Sequence, residues 1–157
     1  MSAARARANR KLYHAAVLQR MLQHELAREE VPARVVLDAV GESVRLALLD
    51  AYGWFLLELA GVDELPSQPP HRIIDLLQAW PQAEPLRGEL VELQNLERAA
   101  GWLAELQASP PVAPVAVSQP PGALSTVELD WSAERLEQWH SGLSELMDRM
   151  SDSLDEW

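Results

Sequence analysis

The sequence predicts an all-α protein: an antiparallel helical bundle of four long helices plus one short helix, with a proline-rich irregular connector before the last helix. Two observations predict this fold class. Apolar residues recur at steps of three and four in several separate segments, which is the spacing of amphipathic helices. Prolines, 11 in all, are concentrated between those segments, where they end one helix or begin the next.

The first helix is predicted from about Ala3 to Glu30, because Pro32 disfavours helical geometry in the residue before it. Apolar residues at helical spacing form its core seam: Ala8, Leu12, Ala15, Leu22 and Leu26. A second row mixes basic and apolar side chains. It predicts either a docking face for an acidic partner or a half-covered face whose long side chains reach water. The row consists of Arg10, His14, Val17, Met21, His24 and Arg28.

The second helix is predicted from near Pro32 to Ala60, and its second half lies in the most apolar stretch of the chain, residues 44–62. Its first half has a polar row typical of a solvated face: Arg34, Asp38, Glu42 and Arg45. Beyond this row the polar face disappears, which predicts burial on two sides. Gly53 costs about 1 kcal/mol relative to alanine in a helix interior, so we expect another backbone close to it.

This second side of helix two is a possible interaction face, because a partner could bind wherever the chain's own helices leave it uncovered. It consists of Leu46, Leu49, Gly53, Leu56 and Ala60.

A short third helix, residues 71–80, comes after a turn-rich connection and is predicted to cover the end of helix two. The fourth helix is predicted from about Pro85 to Gln107, since proline fits a first helical turn. Residues 108–124 contain five prolines and no charge, which predicts a polyproline-like or disordered linker.

The last segment, residues 125–157, regains helical periodicity. Ser132 is the predicted N-cap, with Trp131 and Leu136 as a hydrophobic staple across it. A heptad seam comes next, which packs either on the chain's own bundle or on a neighbouring chain. The seam consists of Leu136, Trp139, Leu143, Leu146, Met150, Ser153 and Trp157.

The length of 157 residues fits a single domain, with residues 1–107 as a helical core, 108–124 as a linker and 125–157 as a helix that returns to the bundle. The net charge of −11 disfavours binding to nucleic acid. No segment reaches the roughly 20 apolar residues that span a bilayer, and the basic N-terminus lacks the apolar core of an export signal. We therefore expect a cytoplasmic protein without membrane contact.

Asp50 is the most unusual polar residue, because a carboxylate in apolar surroundings needs a partner or a raised pKa. If the first two helices pack antiparallel, Arg10, Tyr13 and His14 are candidate partners. The expected role of such a buried polar network is a structural ion pair. His71 has no obvious partner in the sequence.

Motifs for catalysis or metal binding are weak. Glu137 and His140 form one Glu-x-x-His pair, whereas di-iron bundles use two such pairs and two further glutamates. Arg135 and His140 match the Arg-x4-His spacing of helical ribonucleases of the HEPN class, but about one such match is expected by chance here. No phosphate loop, catalytic triad or zinc ligand set is visible, so we expect no metal and no cofactor.

Three segments carry a resemblance to a known family: NRKLYHA at 9–15, AYGWFLLELAGVDELP at 51–66 and RLEQWHSGLSELMDRMSDSLDEW at 135–157. They resemble an uncharacterised family of short helical proteins from pseudomonads and related gammaproteobacteria, known as a domain of unknown function. The resemblance implies a bacterial cytoplasmic setting and brings no activity, cofactor or catalytic residue with it.

The function we expect is that of a non-enzymatic interaction or scaffold module, acting as a homo-oligomer or as an acidic adaptor. Its basis is the charge split between the two ends of the chain, the apolar surfaces and the lack of a convergent catalytic set. The alternative is a HEPN-like helical ribonuclease or a nucleotide-binding bundle.

Overall fold

A computed structural model describes residues 1–108 and 132–155, and every regular element in these ranges is helical. The α-helices are α1 (Ala3–Arg28), α2 (Ala33–Leu59), α3 (Ile73–Ala79), α4 (Gly88–Arg98), α5 (Trp102–Gln107) and α6 (Ala133–Asp155). A 3-10 turn, Pro81–Ala83, lies between α3 and α4. The all-α fold class predicted from the sequence is therefore confirmed.

α1 and α2 form an antiparallel hairpin. Ser2 is the N-cap of α1, and its hydroxyl accepts a hydrogen bond from the backbone N–H of Arg5 at 3.0 Å. Glu29 is the C-cap and has left-handed backbone angles (φ 54°), and Pro32 then precedes the first turn of α2. The hydroxyl of Ser2 also donates to the carboxylate of Glu58, so the start of α1 lies beside the end of α2.

The second half of α2 is the centre of the fold. Every residue from Ala51 to Leu57 is buried. α1 packs along one side of this helix, and α3, α4, α5 and α6 contact other sides. The predicted burial of this stretch on more than one side is confirmed.

α6 packs beside α1 in the opposite direction. The guanidinium of Arg5 donates to the carbonyl of Met147 at 3.5 Å, and Nε2 of His140 lies 3.3 Å from the carbonyl oxygen of Leu12. Because the two contacts are seven residues apart on each helix, α1 and α6 run antiparallel at matching levels.

The start and the seam of α6 are explained by local sequence. The backbone N–H of Arg135 donates to the hydroxyl of Ser132 at 3.1 Å, which confirms Ser132 as the N-cap. Five of the predicted seam residues are buried: Leu136, Trp139, Leu143, Leu146 and Met150. Trp131 and Trp157 lie outside the described residues, as do residues 109–124 of the predicted linker 108–124.

The predicted fourth helix, Pro85 to Gln107, is two helices in the structure, α4 and α5. Ala99 has an extended conformation (φ −76°, ψ 146°), and Gly101, two residues later, lowers helix stability by about 1 kcal/mol relative to alanine. The break allows Trp102 to pack on α6, where a Cβ atom added to Gly142 would lie 2.9 Å from the indole. The described residues thus contain three long helices, and the predicted set of four is corrected.

Within the described ranges, no helix combines the length and the apolar character that crossing a bilayer requires.

Candidate functional site

Three basic residues near the start of α1 are held by contacts within the chain. The guanidinium of Arg5 lies 5.2 Å from the centroid of the Phe55 ring, and that of Arg7 lies 4.6 Å from the centroid of Trp54. A cation is attracted to an aromatic face at these distances. Lys11 forms an ion pair with α2. This side of α1 therefore uses its charges to stabilise the fold.

The opposite side of α1 is exposed, and we call it the outer face of α1. It consists of Arg10, Tyr13, His14, Arg20, Met21 and His24. At about 100° per residue these positions lie on one side of a helix. The exposed fraction is 63% for Tyr13 and 56% for Met21, which is high for large apolar side chains.

The basic side chains of this face have no counter-charge among the described residues. Within the described ranges, Arg10, His14, Arg20 and His24 make no hydrogen bond and no ion pair. The one carboxylate in α1 belongs to Glu25, which pairs with Arg28 at 3.3 Å. The structure therefore brings Arg10, His14, Met21 and His24, four residues predicted as a docking face, onto one accessible surface.

The possible interaction face predicted on α2 is mostly covered. Leu49 and Leu56 are buried, with exposed fractions of 4% and 0%, and Ala60 is half-buried. A Cβ atom at Gly53 would lie 1.9 Å from the carbonyl oxygen of Pro70, so the expected close backbone is present. The covering segment is the connection that leads to α3. Leu46, at 44% exposure, is the member of this face that stays open to solvent.

Asp50 lies in a cleft of about 630 Å³ between α1, α2 and this connection. Its carboxylate accepts from Nζ of Lys11 at 3.2 Å and pairs with Nε2 of His71 at 2.8 Å. Leu46, Trp54, Pro69 and Pro70 supply most of the apolar lining. The network fastens the connection to both helices.

Burial by itself raises the pKa of Asp50, but the hydrogen bonds from His71 and Lys11 outweigh it and keep that pKa below its ordinary value. The carboxylate is therefore ionised at neutral pH. The partners differ from those suggested by the sequence, because Arg10, Tyr13 and His14 lie on the outer face of α1. His71, for which the sequence showed no obvious partner, is one of the two partners of Asp50.

A second polar network, centred on Glu97 of α4, joins four elements. Its carboxylate accepts from the hydroxyl of Tyr52 at 2.8 Å, from the backbone N–H of Ile73 at 3.0 Å and from the side-chain amide of Gln107 at 3.1 Å. Burial, together with the negative charge of Glu97, raises the pKa of Tyr52 well above its ordinary value. In the sequence, only the polar hydroxyl of Tyr52 within an apolar stretch indicated that such a network is present.

Arg45 lies inside the protein, although the sequence placed it on a solvated row. Only 8% of the residue is exposed. Its Nε donates to the carbonyl of Leu106 and its Nη2 to that of Ala108, both at 2.9 Å. These carbonyls belong to the end of α5, where a helix leaves acceptors unpaired. Burial is the main cause that lowers the pKa of Arg45.

The residues tested for catalysis have separate structural partners. Nε of Arg135 lies 4.0 Å from the carboxylate of Glu105 on α5, whereas His140 contacts the backbone of Leu12 on α1. The two side chains therefore point to different helices. Glu137 is exposed, and the described ranges contain no group of three or more His, Cys, Asp or Glu residues that could hold a metal ion.

Comparison with known proteins identifies one family. The model of the family of unknown function DUF6586 matches residues 1–157, so the chain belongs to this family. No curated protein and no solved structure matches it.

Proposed function

We propose that this member of the DUF6586 family is a non-enzymatic protein–protein interaction module, and that it binds an acidic partner through the outer face of α1. The observation that carries the proposal is the contrast between the two sides of this helix. Arg5, Arg7 and Lys11 are neutralised or stacked within the chain, whereas Arg10 and Arg20 face solvent with no counter-charge in the described ranges.

The composition of the outer face supports a protein partner. Tyr13 and Met21 are large, exposed and flanked by cations. Aromatic residues, methionine and arginine are enriched at protein interfaces, and Tyr and Arg supply much of the binding energy when they become buried. Fixed positive charges on the face steer a negatively charged surface towards it and favour one orientation.

A photocrosslinking experiment tests this function. The photoreactive amino acid p-benzoylphenylalanine replaces Tyr13 in the full chain, in cells of the native host, and ultraviolet light then links it to any protein in contact. A matched probe replaces Val91, which is 41% exposed on α4. We expect a discrete crosslinked product from position 13 that is absent from position 91.

The charge requirement is tested in the same cells. Reversing both arginines, with Arg10→Glu and Arg20→Glu, should reduce the product from position 13 at least about fivefold, because an acidic partner is then repelled. Absence of a product at position 13, or a product that the reversal leaves unchanged, would contradict the proposal. The mass of the product does not enter this test.

A further inference from the structure

The outer surface of α6 has the opposite charge from that of α1. Six carboxylates lie along it, all exposed: Glu134, Glu137, Glu145, Asp148, Asp152 and Asp155. The two arginines of α6 pair with carboxylates of neighbouring helices, Arg135 with Glu105 at 4.0 Å and the exposed Arg149 with Glu92. The outer face of α6, defined by these six residues, therefore keeps its negative charge.

The two outer faces adjoin each other. α1 and α6 are neighbours, as the contacts of Met147 with Arg5 and of His140 with Leu12 show. Both helices also contact α2 with their buried sides, so their exposed sides point away from it in the same general direction. The molecule thus presents one surface with a basic half on α1 and an acidic half on α6.

We propose that the acidic partner is a second copy of this chain, and that the outer face of α1 in each copy binds the outer face of α6 in the other. The proposal rests on the proposed function, since it names the partner of the same face. A two-fold axis parallel to the helices and placed between α1 and α6 brings the basic half of each copy onto the acidic half of the other. Such a dimer is closed and self-complementary.

Matching levels along the helices support this arrangement. Rotation about an axis parallel to the helices leaves the position of each residue along that axis unchanged. Within one copy, Leu12 lies level with His140 and Arg5 with Met147, so the same levels face each other across the dimer. Arg10 then comes near Glu145 of the other copy, and Arg20 comes near Glu134. Each contact is formed twice in the dimer.

The physical nature of these contacts sets the expected strength. Exposed ion pairs contribute little individually, and salt screens them over about 10 Å at an ionic strength of 0.1 M. The dimer should therefore be weak and salt-dependent. We expect its dissociation constant to rise at least about tenfold between low and high salt, because most of the attraction is between charges.

Sedimentation velocity of the purified full chain tests the dimer, after nuclease digestion to remove bound nucleic acid. In about 20 mM sodium chloride, where charges attract over longer distances, we expect a species of twice 17.5 kDa at the highest protein concentrations, and in about 500 mM salt the 17.5 kDa monomer. A monomer at both salt concentrations would overturn the proposal. A dimer that is present before nuclease digestion and absent after it would also overturn the proposal.

Charge exchange between two variants locates the interface. One variant has Arg10→Glu and Arg20→Glu, and the other has Glu134→Arg and Glu145→Arg. Each alone should be monomeric at low salt, because like charges then face each other. An equimolar mixture should restore the dimer, since each copy then offers the charge that the other needs. Failure of the mixture to associate would overturn the proposal.

A matched control has the same change in charge on another surface. Arg87→Glu and Arg98→Glu lie on exposed positions at the two ends of α4, and this variant should still dimerise. If the control is also monomeric, the effect reflects net charge and the assigned interface is wrong. Circular dichroism checks that each variant is folded, and the salt series on the unmodified chain decides the matter without any substitution.

The two proposals fail in different ways. A chain that is monomeric at low salt, while Tyr13 still crosslinks to a protein of another mass, refutes the dimer and leaves the interaction module. Absence of any crosslinked product at position 13 refutes the module itself.

Discussion

The two halves of α2 have the same helical geometry but different surroundings. In the outer half, residues 33–43, only Val36 and Gly41 are buried. In the inner half, residues 44–59, only Leu46 is exposed. The difference arises because the later segments of the chain, namely the connection to α3 and the helices α4, α5 and α6, contact α2 mainly along its inner half.

The inner half of α2 depends on contacts with backbone groups as much as on contacts between side chains. Carbonyl groups of the connection and of α5 approach it directly, at Gly53 and at Arg45. Interiors are packed densely, so a change of one methyl group or one donor is felt there. The outer half has no such constraint in the described residues, and substitutions there should have small effects.

Among changes at the contacts of the inner half with the connection and with α5, the largest effect is expected for Gly53→Ala. The new Cβ atom would lie 1.9 Å from the carbonyl oxygen of Pro70 and 2.8 Å from Cβ of Pro69, so the connection must move. We expect the free energy of unfolding to fall by about 3 kcal/mol, as for other overpacked sites, despite the higher helix propensity of alanine. Denaturant unfolding followed by circular dichroism measures the change.

Gly88→Ala is the matched control, because a Cβ atom at Gly88 in the first turn of α4 has nothing within 4 Å. This variant should gain up to about 1 kcal/mol from helix propensity alone. Equal behaviour of the two alanine variants would mean that the connection does not press on α2.

The second effect in size is expected for Arg45→Met. This change removes the side-chain donor to the carbonyls of Leu106 and Ala108 and should lower the free energy of unfolding by about 2 kcal/mol. Amide hydrogen exchange should become faster in α5 and stay unchanged in the outer half of α2. Arg45→Lys keeps the charge but has a single donor group. Its free energy of unfolding should therefore lie between those of the unmodified protein and of the Arg45→Met variant. Unchanged exchange in α5 would show that the arginine does not fasten this helix.

Local patterns in the sequence are sufficient to predict the burial of the inner half, the close approach at Gly53 and the N-cap at Ser132. Each of these depends on residues a few positions apart. The helical spacing of α1 likewise places Arg10, His14, Met21 and His24 on one exposed side, as the mixed row indicated.

The partners of polar groups could not be predicted in this way. Arg45 binds carbonyls more than 60 residues away, and Asp50 pairs with His71 only because the connection folds back over Gly53. The spacing of Arg45 from Glu42 fits a solvated row equally well. The break in the helix near Ala99 is similar, since it is stabilised by contacts of Trp102 with α6 and of Gln107 with the carbonyl of His71 in the connection to α3.

A smaller effect is expected for Asp50→Asn. A carboxylate whose pKa is lowered by folding stabilises the folded state above its ordinary pKa of 3.8, and this contribution disappears as the pH falls through the lower value of the folded state. Because Lys11 and His71 are each 37% exposed, they remain solvated when the charge is removed, and the loss at pH 7 should be about 1 kcal/mol.

Unfolding measured from pH 7 down to pH 2.5 tests the assignment. The difference between the unmodified protein and the asparagine variant should shrink below pH 4, where Asp50 becomes protonated in the unfolded chain. A difference that does not change with pH would show that the charge of Asp50 contributes no stability.

The smallest effect is expected for Val35→Ser in the outer half. Val35 is 53% exposed and buries little apolar surface in the described structure. The substitution should therefore change the free energy of unfolding by no more than about 0.5 kcal/mol. The matched inner-half change is Leu48→Ser at a fully buried position, which should cost several times more. The same denaturant titration measures both. A loss at Val35 close to that at Leu48 would mean that the outer half of α2 is covered in solution, and the contrast between the two halves would then be wrong.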